Sequence, residues 1–337
     1  MDAPYVRIPW VLNTLDSSER TELLAQIASL YYEDDLTQVE IGHRIGISRA
    51  TVSRLLHEAR EAGVVQITVH YPWKTDSEIE HDLIARFHLR QARVLDGRGQ
   101  PYDEILRGLG VLAARYMEGI LAESTTLGIS WGTAVYSTVR ALRPDRRLPI
   151  TVVQMIGAVG TGDSRIDGPD LARLLADVYG GEYRYLHAPL VVEEAHVREM
   201  LLQEPRIRET LSLARRADVA LVGIGSLVPE VSSLLRAGYL DREALARLHA
   251  QGAVGDVCAR HYDAQGCVLD VELNQRIVGI ELEGLHDIKQ VIGVAGGATK
   301  AEAILGALLG GHVNVLVTDD AAARKVLALD QAAKSGG

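Results

Sequence analysis

Between Arg44 and Arg60 the chain carries four arginines, Arg44, Arg49, Arg54 and Arg60, against one carboxylate, Glu58. The hydroxyls of Ser48, Thr51 and Ser53 lie among them, with Ala50 between and His57 one turn on. Guanidinium groups grip phosphates or read guanine edges with two bonds at once. Ser and Thr hydroxyls bond phosphates or bases. A second chemistry is spread over three glycine-containing loops. They are Leu127-Gly128-Ile129-Ser130-Trp131-Gly132-Thr133, Gly157-Ala158-Val159-Gly160-Thr161-Gly162 and Gly293-Val294-Ala295-Gly296-Gly297-Ala298-Thr299-Lys300. Backbone N–H groups at a helix N-terminus bind anions, and the Ser130 and Thr133 hydroxyls can add bonds. Gly296 and Gly297 permit close backbone approach, and Lys300 can pair with a phosphate. The spacing is not that of a nucleotide P-loop.

The arginines need two short helices and a tight turn to hold them. Apolar residues Leu23, Ile27, Leu30 and Tyr31 make one face of a first helix over Ser18–Asp34. Thr37, with Glu40 completing a capping box, starts a second helix that runs to about Ile45. Gly46-Ile47 turns the chain, Ser48 caps a third helix and Gly63 ends it. With Val52 in the core, Ala50, Arg54 and His57 fall on the opposite side, Ser53 on the flank, and Arg49 and Thr51 in the first turn. Val52, Leu55, Leu56 and Ala59 supply the apolar face. This is the pattern of a helix-turn-helix that places its second helix in the major groove of double-stranded operator DNA. Val64–His70 alternates and reads as a strand or wing. A small helical interaction module with solvated arginines is the competing reading.

The glycine loops need a sheet. After a hinge at Tyr71-Pro72-Trp73-Lys74, β-branched apolar runs alternate with helical stretches. Strands are expected at Ala92–Leu95, Thr125–Ile129, Ile150–Ile156, Glu182–His187, Val219–Gly223, Val291–Val294 and Val313–Thr318. Helices are expected between most of them, among them Asp103–Gly119, Gly132–Leu142, Pro169–Tyr179 and Thr299–Leu309. Arg260–Val271 suggests a hairpin turning at Asp263-Ala264-Gln265-Gly266. The alternation predicts an α/β fold, a Rossmann-like and mostly parallel sheet with helices on both faces. The domains are then 1–72 and 73–334. All three loops fall at carboxyl ends of strands, where open α/β sheets gather ligands. Taken singly, each loop is equally an ordinary Gly-rich turn.

Composition narrows the function. The 337 residues are 47% hydrophobic and 24% charged, so a folded chain with a real core is expected. A net charge of −10 excludes a protein that coats DNA unspecifically, although the arginine segment is locally basic. Aromatics are 5% with one Phe, too few for a platform that stacks single-stranded bases. Cys258 and Cys267 are expected as reduced thiols, and their spacing is not a zinc pattern. No signal peptide or membrane span is seen, which points to a cytoplasmic protein. No cofactor or metal site is expected. His187, His261 and His312 show no ligand spacing.

The stretch LYYEDDLTQVEIGHRIGISRATVSRLLHEAREAGVVQITV resembles the SorC family of bacterial transcriptional regulators, grouped loosely with DeoR-type repressors. Gly42 stands where that pattern often has Ala. The resemblance continues through LGISWGTAVYS, APLVVEE, ADVALVGIGSL, GAVGDVCARHYDAQG and VIGVAGGATKAEAILGALLGGHVNVLVTD, nearly the whole chain. It implies a C-terminal domain related to the sugar-phosphate isomerase/CoA-transferase fold that binds a sugar or sugar phosphate as effector. It places the phosphate against Ser130, Trp131, Gly132, Thr133 and Lys300, and sugar hydroxyls against Asp256, with Asp167 lining the same pocket. It also implies a homo-oligomer, a dimer or tetramer. Some family members carry Asn-Glu before the helix that begins here with Pro169-Asp170, and this departure leaves the identity of the sugar open. Blander roles are open for three of these residues: Asp256 as a turn cap, Lys300 as a solvated first-turn lysine, and Trp131 as core.

One enzymatic reading competes. Gly128-Ile129-Ser130-Trp131-Gly132 fits the G-x-S-x-G nucleophile elbow of α/β hydrolases. Asp256 with His286, or Asp270 with His312, would complete the chain order, but no HGG-type oxyanion segment precedes Ser130. A sugar-phosphate isomerase would rest on fold analogy alone.

Overall fold

The computed structural model describes residues 16–65, 73–160 and 166–335. The chain divides into two compact units, Met1–Pro72 and Trp73–Gly337. Most of the expected wing over Val64–His70 lies outside the described residues. So do Tyr71 and Pro72 of the hinge and Thr161 and Gly162 of the second glycine loop.

In the first unit three helices follow from their caps. Helix α1 (Ser17–Tyr32) starts at Asp16, which forms a capping box with Glu19. Helix α2 (Gln38–Ile45) starts at Thr37 with the box to Glu40, and Gly46 ends it with φ of 76°. Helix α3 (Arg49–Glu61) starts at Ser48. Leu24, Ile27, Ile41, Val52, Leu55, Leu56 and Ala59 close a core between them. Each is at most 2% exposed, so the α3 stripe points wholly inward; of the α1 stripe Leu23 and Ile27 are buried and Leu30 and Tyr31 half-buried, while Val39 of α2 is 50% exposed.

The second unit alternates helices and strands. It begins with α4 (Ser77–Phe87), β1 (Gln91–Leu95), α5 (Tyr102–Ile120), β2 (Thr126–Ile129), α6 (Thr133–Ala141) and β3 (Thr151–Gln154). Next come α7 (Gly168–Tyr179), β4 (Glu182–Arg184), α8 (Ala195–Gln203), α9 (Pro205–Arg215) and β5 (Val219–Ser226). After α10 (Ser233–Arg236) and α11 (Arg242–Ala250) follow β6 (Gly255–Val257), β7 (Arg260–Tyr262) and α12 (Glu272–Arg276). The chain closes with β8 (Gln290–Val294), α13 (Ala301–Leu309), β9 (Val315–Asp319) and α14 (Asp320–Ser335).

The strands form one sheet in the order β1-β9-β8-β5-β2-β3-β4, with neighbours parallel. Alternate residues feed opposite faces. Leu127, Val152, Leu221, Ile292 and Val317 meet α5, α6 and α7 on one side. Val153, Val222, Val291 and Leu316 meet apolar residues of α4, α11, α13 and α14 on the other. The expected α/β class, a parallel sheet covered on both faces, is therefore observed.

Two expectations change. Strands β3 and β4 are shorter than expected, because Gln154 replaces ladder bonds. Its amide donates to Ile156 O at 2.8 Å and accepts from Leu186 N at 3.0 Å. The expected hairpin is present but irregular. The chain reverses at 263–266, where Asp263 N donates to Cys267 O and Leu269 N to His261 O, each at 3.0 Å, and the ladder there is the isolated Tyr262–Val268 bridge. The regular antiparallel pair is β6 with β7, turning through Cys258 and Ala259. Both turn residues have positive φ, 52° and 64°, without being glycine. Turn signals built on Gly and Asn pass over such a turn.

Candidate functional site

The helix-turn-helix geometry begins at its turn. Gly46 N and Ile47 N both donate to Gly42 O at 2.9 Å. A Cβ on Gly42 would lie 2.7 Å from Ile47 O, so the closeness of this turn explains the glycine. Ser48 Oγ accepts from Thr51 N at 3.1 Å and lies 2.9 Å from Thr51 Oγ1, which ties both hydroxyls to the start of α3. Arg44, Arg49, Ala50, Ser53, Arg54 and His57 are exposed, and Thr51 is half-buried. Glu58 turns toward α1, where the Arg20 guanidinium holds it at 2.8 and 2.6 Å. That pair keeps the Glu58 carboxyl below its usual range. The single acid of the segment is thus bound internally, and the outward face of α3 presents arginine.

The second site is a cavity at the carboxyl ends of β2, β5 and β8. Ser130, Trp131, Gly132, Thr133, Asp256 and Lys300 line it, together with Gly225 and Cys258. Gly132 precedes α6 with φ of 113°, and no side chain caps that helix. Thr133 and Ala134 of its first turn face the cavity. Uncapped first-turn N–H groups favour an anion. Ser130 is 2% exposed, and its Oγ accepts from Gly223 N at 3.4 Å. Trp131 does two things, packing into the core and lining the cavity.

Lys300 is not a solvated lysine. It is 8% exposed, and Nζ donates to Ile224 O at 2.8 Å. Burial pushes its pKa down to about 8, with Arg236 adding to the effect and Asp256 opposing it. Asp256 stands on β6 opposite Gly225 of β5 and His261 of β7. Burial raises its carboxyl above the usual range, against the pull of His261 and Lys300. The same burial lowers the His261 imidazole. A Cβ on Gly225 would fall 1.9 Å from Asp256 Oδ1, so only glycine leaves the carboxylate this place. Sequence reasoning passed over Gly225, Cys258 and His261. The glycine inside a strand was the available signal, since it marks close approach.

Three expected site residues do other work. The Asp167 carboxylate accepts from Val159 N at 2.8 Å, Gly160 N at 2.9 Å and Gly168 N at 2.7 Å. It caps α7 and orders the second glycine loop, and it is not among the residues lining the cavity. Gly296 and Gly297 also stand outside the lining. Gly297 N donates to the Asp319 carboxylate, and a Cβ on Gly296 would lie 2.6 Å from Asp319 Oδ2. These glycines serve packing against the end of β9.

The nucleophile reading fails on geometry. A general base must reach the nucleophile within hydrogen-bond distance. No histidine is among the residues lining the Ser130 cavity. His286 bonds Gly310 O at 3.0 Å and His312 bonds Gly266 O at 2.7 Å, each through Nε2.

The fold and its two sites define a class: transcriptional regulators that join a helix-turn-helix to a sugar-binding α/β domain. Residues 71–328 match the Sugar-bind family model, a sugar-binding domain, and residues 11–62 match sigma-70 region 4. The chain is 33% identical over 309 residues to the deoxyribonucleoside regulator of Bacillus subtilis (strain 168), covering 92% of this chain and 98% of that one. It is 33% identical to the sorbitol operon regulator of Klebsiella pneumoniae, covering 93% of this chain and 100% of that one. The crystal structure of full-length SorC from Klebsiella pneumoniae superposes with a TM-score of 0.71 at 32% identity, over 93% of this chain and 100% of that one. The chain belongs to the SorC family of transcriptional regulators. These relatives are named as regulators and not as enzymes, so the hydrolase and isomerase alternatives are not favoured. Among the described residues no helix is long and apolar enough to cross a membrane.

Proposed function

We propose that this protein is a repressor that releases operator DNA when a sugar phosphate enters the cavity of its second unit. Residues 1–72 bind double-stranded DNA through Arg49, Ala50, Thr51, Ser53, Arg54 and His57 of α3, with Arg44 and Ser48 beside them. Residues 73–334 bind the effector. The reading rests most heavily on Lys300. Lys300 is held 8% exposed in the same cavity as an uncapped helix N-terminus, and Asp256 and Ile224 O offset only part of the cost of its burial, which favours a further anion there. Asp256 is placed to accept sugar hydroxyls, and Ser130 and Thr133 to bond the phosphate. Relatives named for sorbitol and for deoxyribonucleosides support a sugar-derived ligand. The protein works in the cytoplasm as a homo-oligomer, because a symmetric pair of DNA half-sites calls for two recognition helices.

A thermal-shift screen of sugars and their phosphates tests this. A ligand that binds only the folded state at 100 times its Kd stabilises by about 2.7 kcal/mol. We expect a phosphorylated sugar to raise Tm in the wild type and not in Lys300→Met. If only unphosphorylated sugars act, or if Lys300→Met responds normally, the phosphate assignment is wrong.

A further inference from the structure

The two edges of the sheet are treated differently. Along β1, Thr75 bridges Leu95, Asp76 N donates to Val94 O at 2.9 Å, and Asp96 N donates to Lys74 O at 2.8 Å. That edge is covered by its own chain. Strand β4 stands at the other end and, among the described residues, pairs with β3 on one side only. Its three residues, Glu182, Tyr183 and Arg184, are all exposed, Tyr183 by 37%. An uncovered edge presents backbone groups ready to pair with another strand.

The orientation of those groups is set. Glu182 N donates inward to Ile150 O at 2.9 Å. Alternation along the strand therefore turns the N–H and C=O of Tyr183 outward. Arg184 Nη1 reaches that carbonyl at 3.2 Å. Glu182 and Arg184 share one face, with Arg184 Nη2 at 2.9 Å from Glu182 Oε2. Tyr183 and Tyr185 pack on each other with ring centroids 4.7 Å apart.

We propose that β4 pairs antiparallel with β4 of a second copy, about a two-fold axis at Tyr183, joining two sheets into one. The strand Glu-Tyr-Arg is its own complement in that register. Tyr183 faces the partner's Tyr183, and the pair exchanges the two outward backbone bonds. Glu182 faces the partner's Arg184, and Arg184 faces the partner's Glu182. Opposite charges directly across an antiparallel pair stabilise it, and like charges destabilise it. A two-fold interface makes each such pair occur twice. One pair further out, Tyr185 faces the partner's Gly181, where no side chain stands in its way. Without a partner the Arg184 guanidinium folds back on its own strand. In the pair it swings onto the partner's carboxylate. This deepens the homo-oligomer of the proposed function and rests on it.

Charge exchange on the full-length chain tests the assignment. Glu182→Arg makes the strand Arg-Tyr-Arg, and Arg184→Glu makes it Glu-Tyr-Glu. Each puts like charges across both pairs. The double variant, Arg-Tyr-Glu, is again its own complement. Sedimentation equilibrium over a dilution series, at low salt and with circular dichroism to confirm folding, measures the association. We expect each single variant to raise the dissociation constant on the order of tenfold or more, because two cross-strand pairs change sign together. The double variant and an equimolar mixture of the two single variants should both regain the wild-type value. Single variants that associate like the wild type, or a double variant that stays dissociated, overturn the β4 assignment and leave the homo-oligomer standing. A wild-type chain that is monomeric throughout overturns both.

Discussion

Replacing Lys300 by Met should move two properties in opposite directions as pH rises. The ammonium is 8% exposed, and its pKa in the folded chain is about 8 against an ordinary 10.5. At about 1.4 kcal/mol per pH unit, holding the charged form in place costs about 3 kcal/mol. Between pH 8 and 10.5 the unfolded chain binds this proton more tightly than the folded one. The stability of the unliganded wild type therefore gains about 3 kcal/mol across that window, relative to Lys300→Met. The loss of the bond to Ile224 O in the variant shifts its stability by an amount independent of pH, so the difference in slope isolates the lysine. Effector affinity runs the other way, since an anion needs the protonated amine. At pH 9, one unit above the folded pKa, roughly one Lys300 in ten is charged, and affinity falls about tenfold from its value at pH 7. Removing the charged donor altogether costs about 1.5–3 kcal/mol, or roughly 10- to 150-fold in Kd. Urea unfolding of both proteins from pH 7 to 10.5, beside calorimetric titrations of the effector, reads both effects. Parallel stability profiles, or an affinity unchanged between pH 7 and 9, would refute a buried ammonium that serves the effector.

Three further substitutions separate the parts. Arg54→Ala removes an exposed guanidinium and should weaken operator binding by about 1–3 kcal/mol in gel shifts, with unfolding unchanged to within about 0.5 kcal/mol. Equal operator affinity would remove Arg54 from the interface. Gly225→Ala drives a methyl group onto the Asp256 carboxylate, 1.9 Å away. That carboxylate ends a side chain and can swing aside, so the fold should persist while effector affinity drops at least about tenfold, a loss near that of one charged hydrogen bond. Asp167→Ala strips three backbone N–H groups of their acceptor and should cost about 1–2 kcal/mol of stability without touching operator affinity. A fully stable variant would show that water replaces the cap.

What the sequence made legible and what it hid divide along a physical line. Local signals were readable. Thr37, Ser48 and Gly46 announced their caps, and the β-branched runs placed β1, β2, β8 and β9 within two residues at each end, while β5 runs three residues beyond its expected end. The stripe of Val52, Leu55, Leu56 and Ala59 set the outward face of α3. Pairings distant in the chain were not readable. Glu58 counts as a charge of the arginine segment until Arg20, thirty-eight residues earlier, takes it up. Lys300 looks like any first-turn lysine until β5 supplies Ile224 O. Gly225 looks like a weak strand residue until β6 lays Asp256 across it. The resemblance puts Asp167 in the pocket, yet its oxygens are taken by Val159, Gly160 and Gly168 N–H groups of a loop whose folding no spacing reveals. The Cys258-Ala259 turn escaped because its left-handed backbone is carried by residues that seldom adopt it.

Operator affinity measured by fluorescence anisotropy, with the sugar phosphate from the thermal screen present or absent, is the most direct test of effector-controlled DNA binding. We expect saturating effector to weaken operator binding by about 5- to 150-fold, and saturating operator to weaken effector binding by the same factor, as linkage requires. An effector that binds in the cavity while operator affinity stays the same would contradict it.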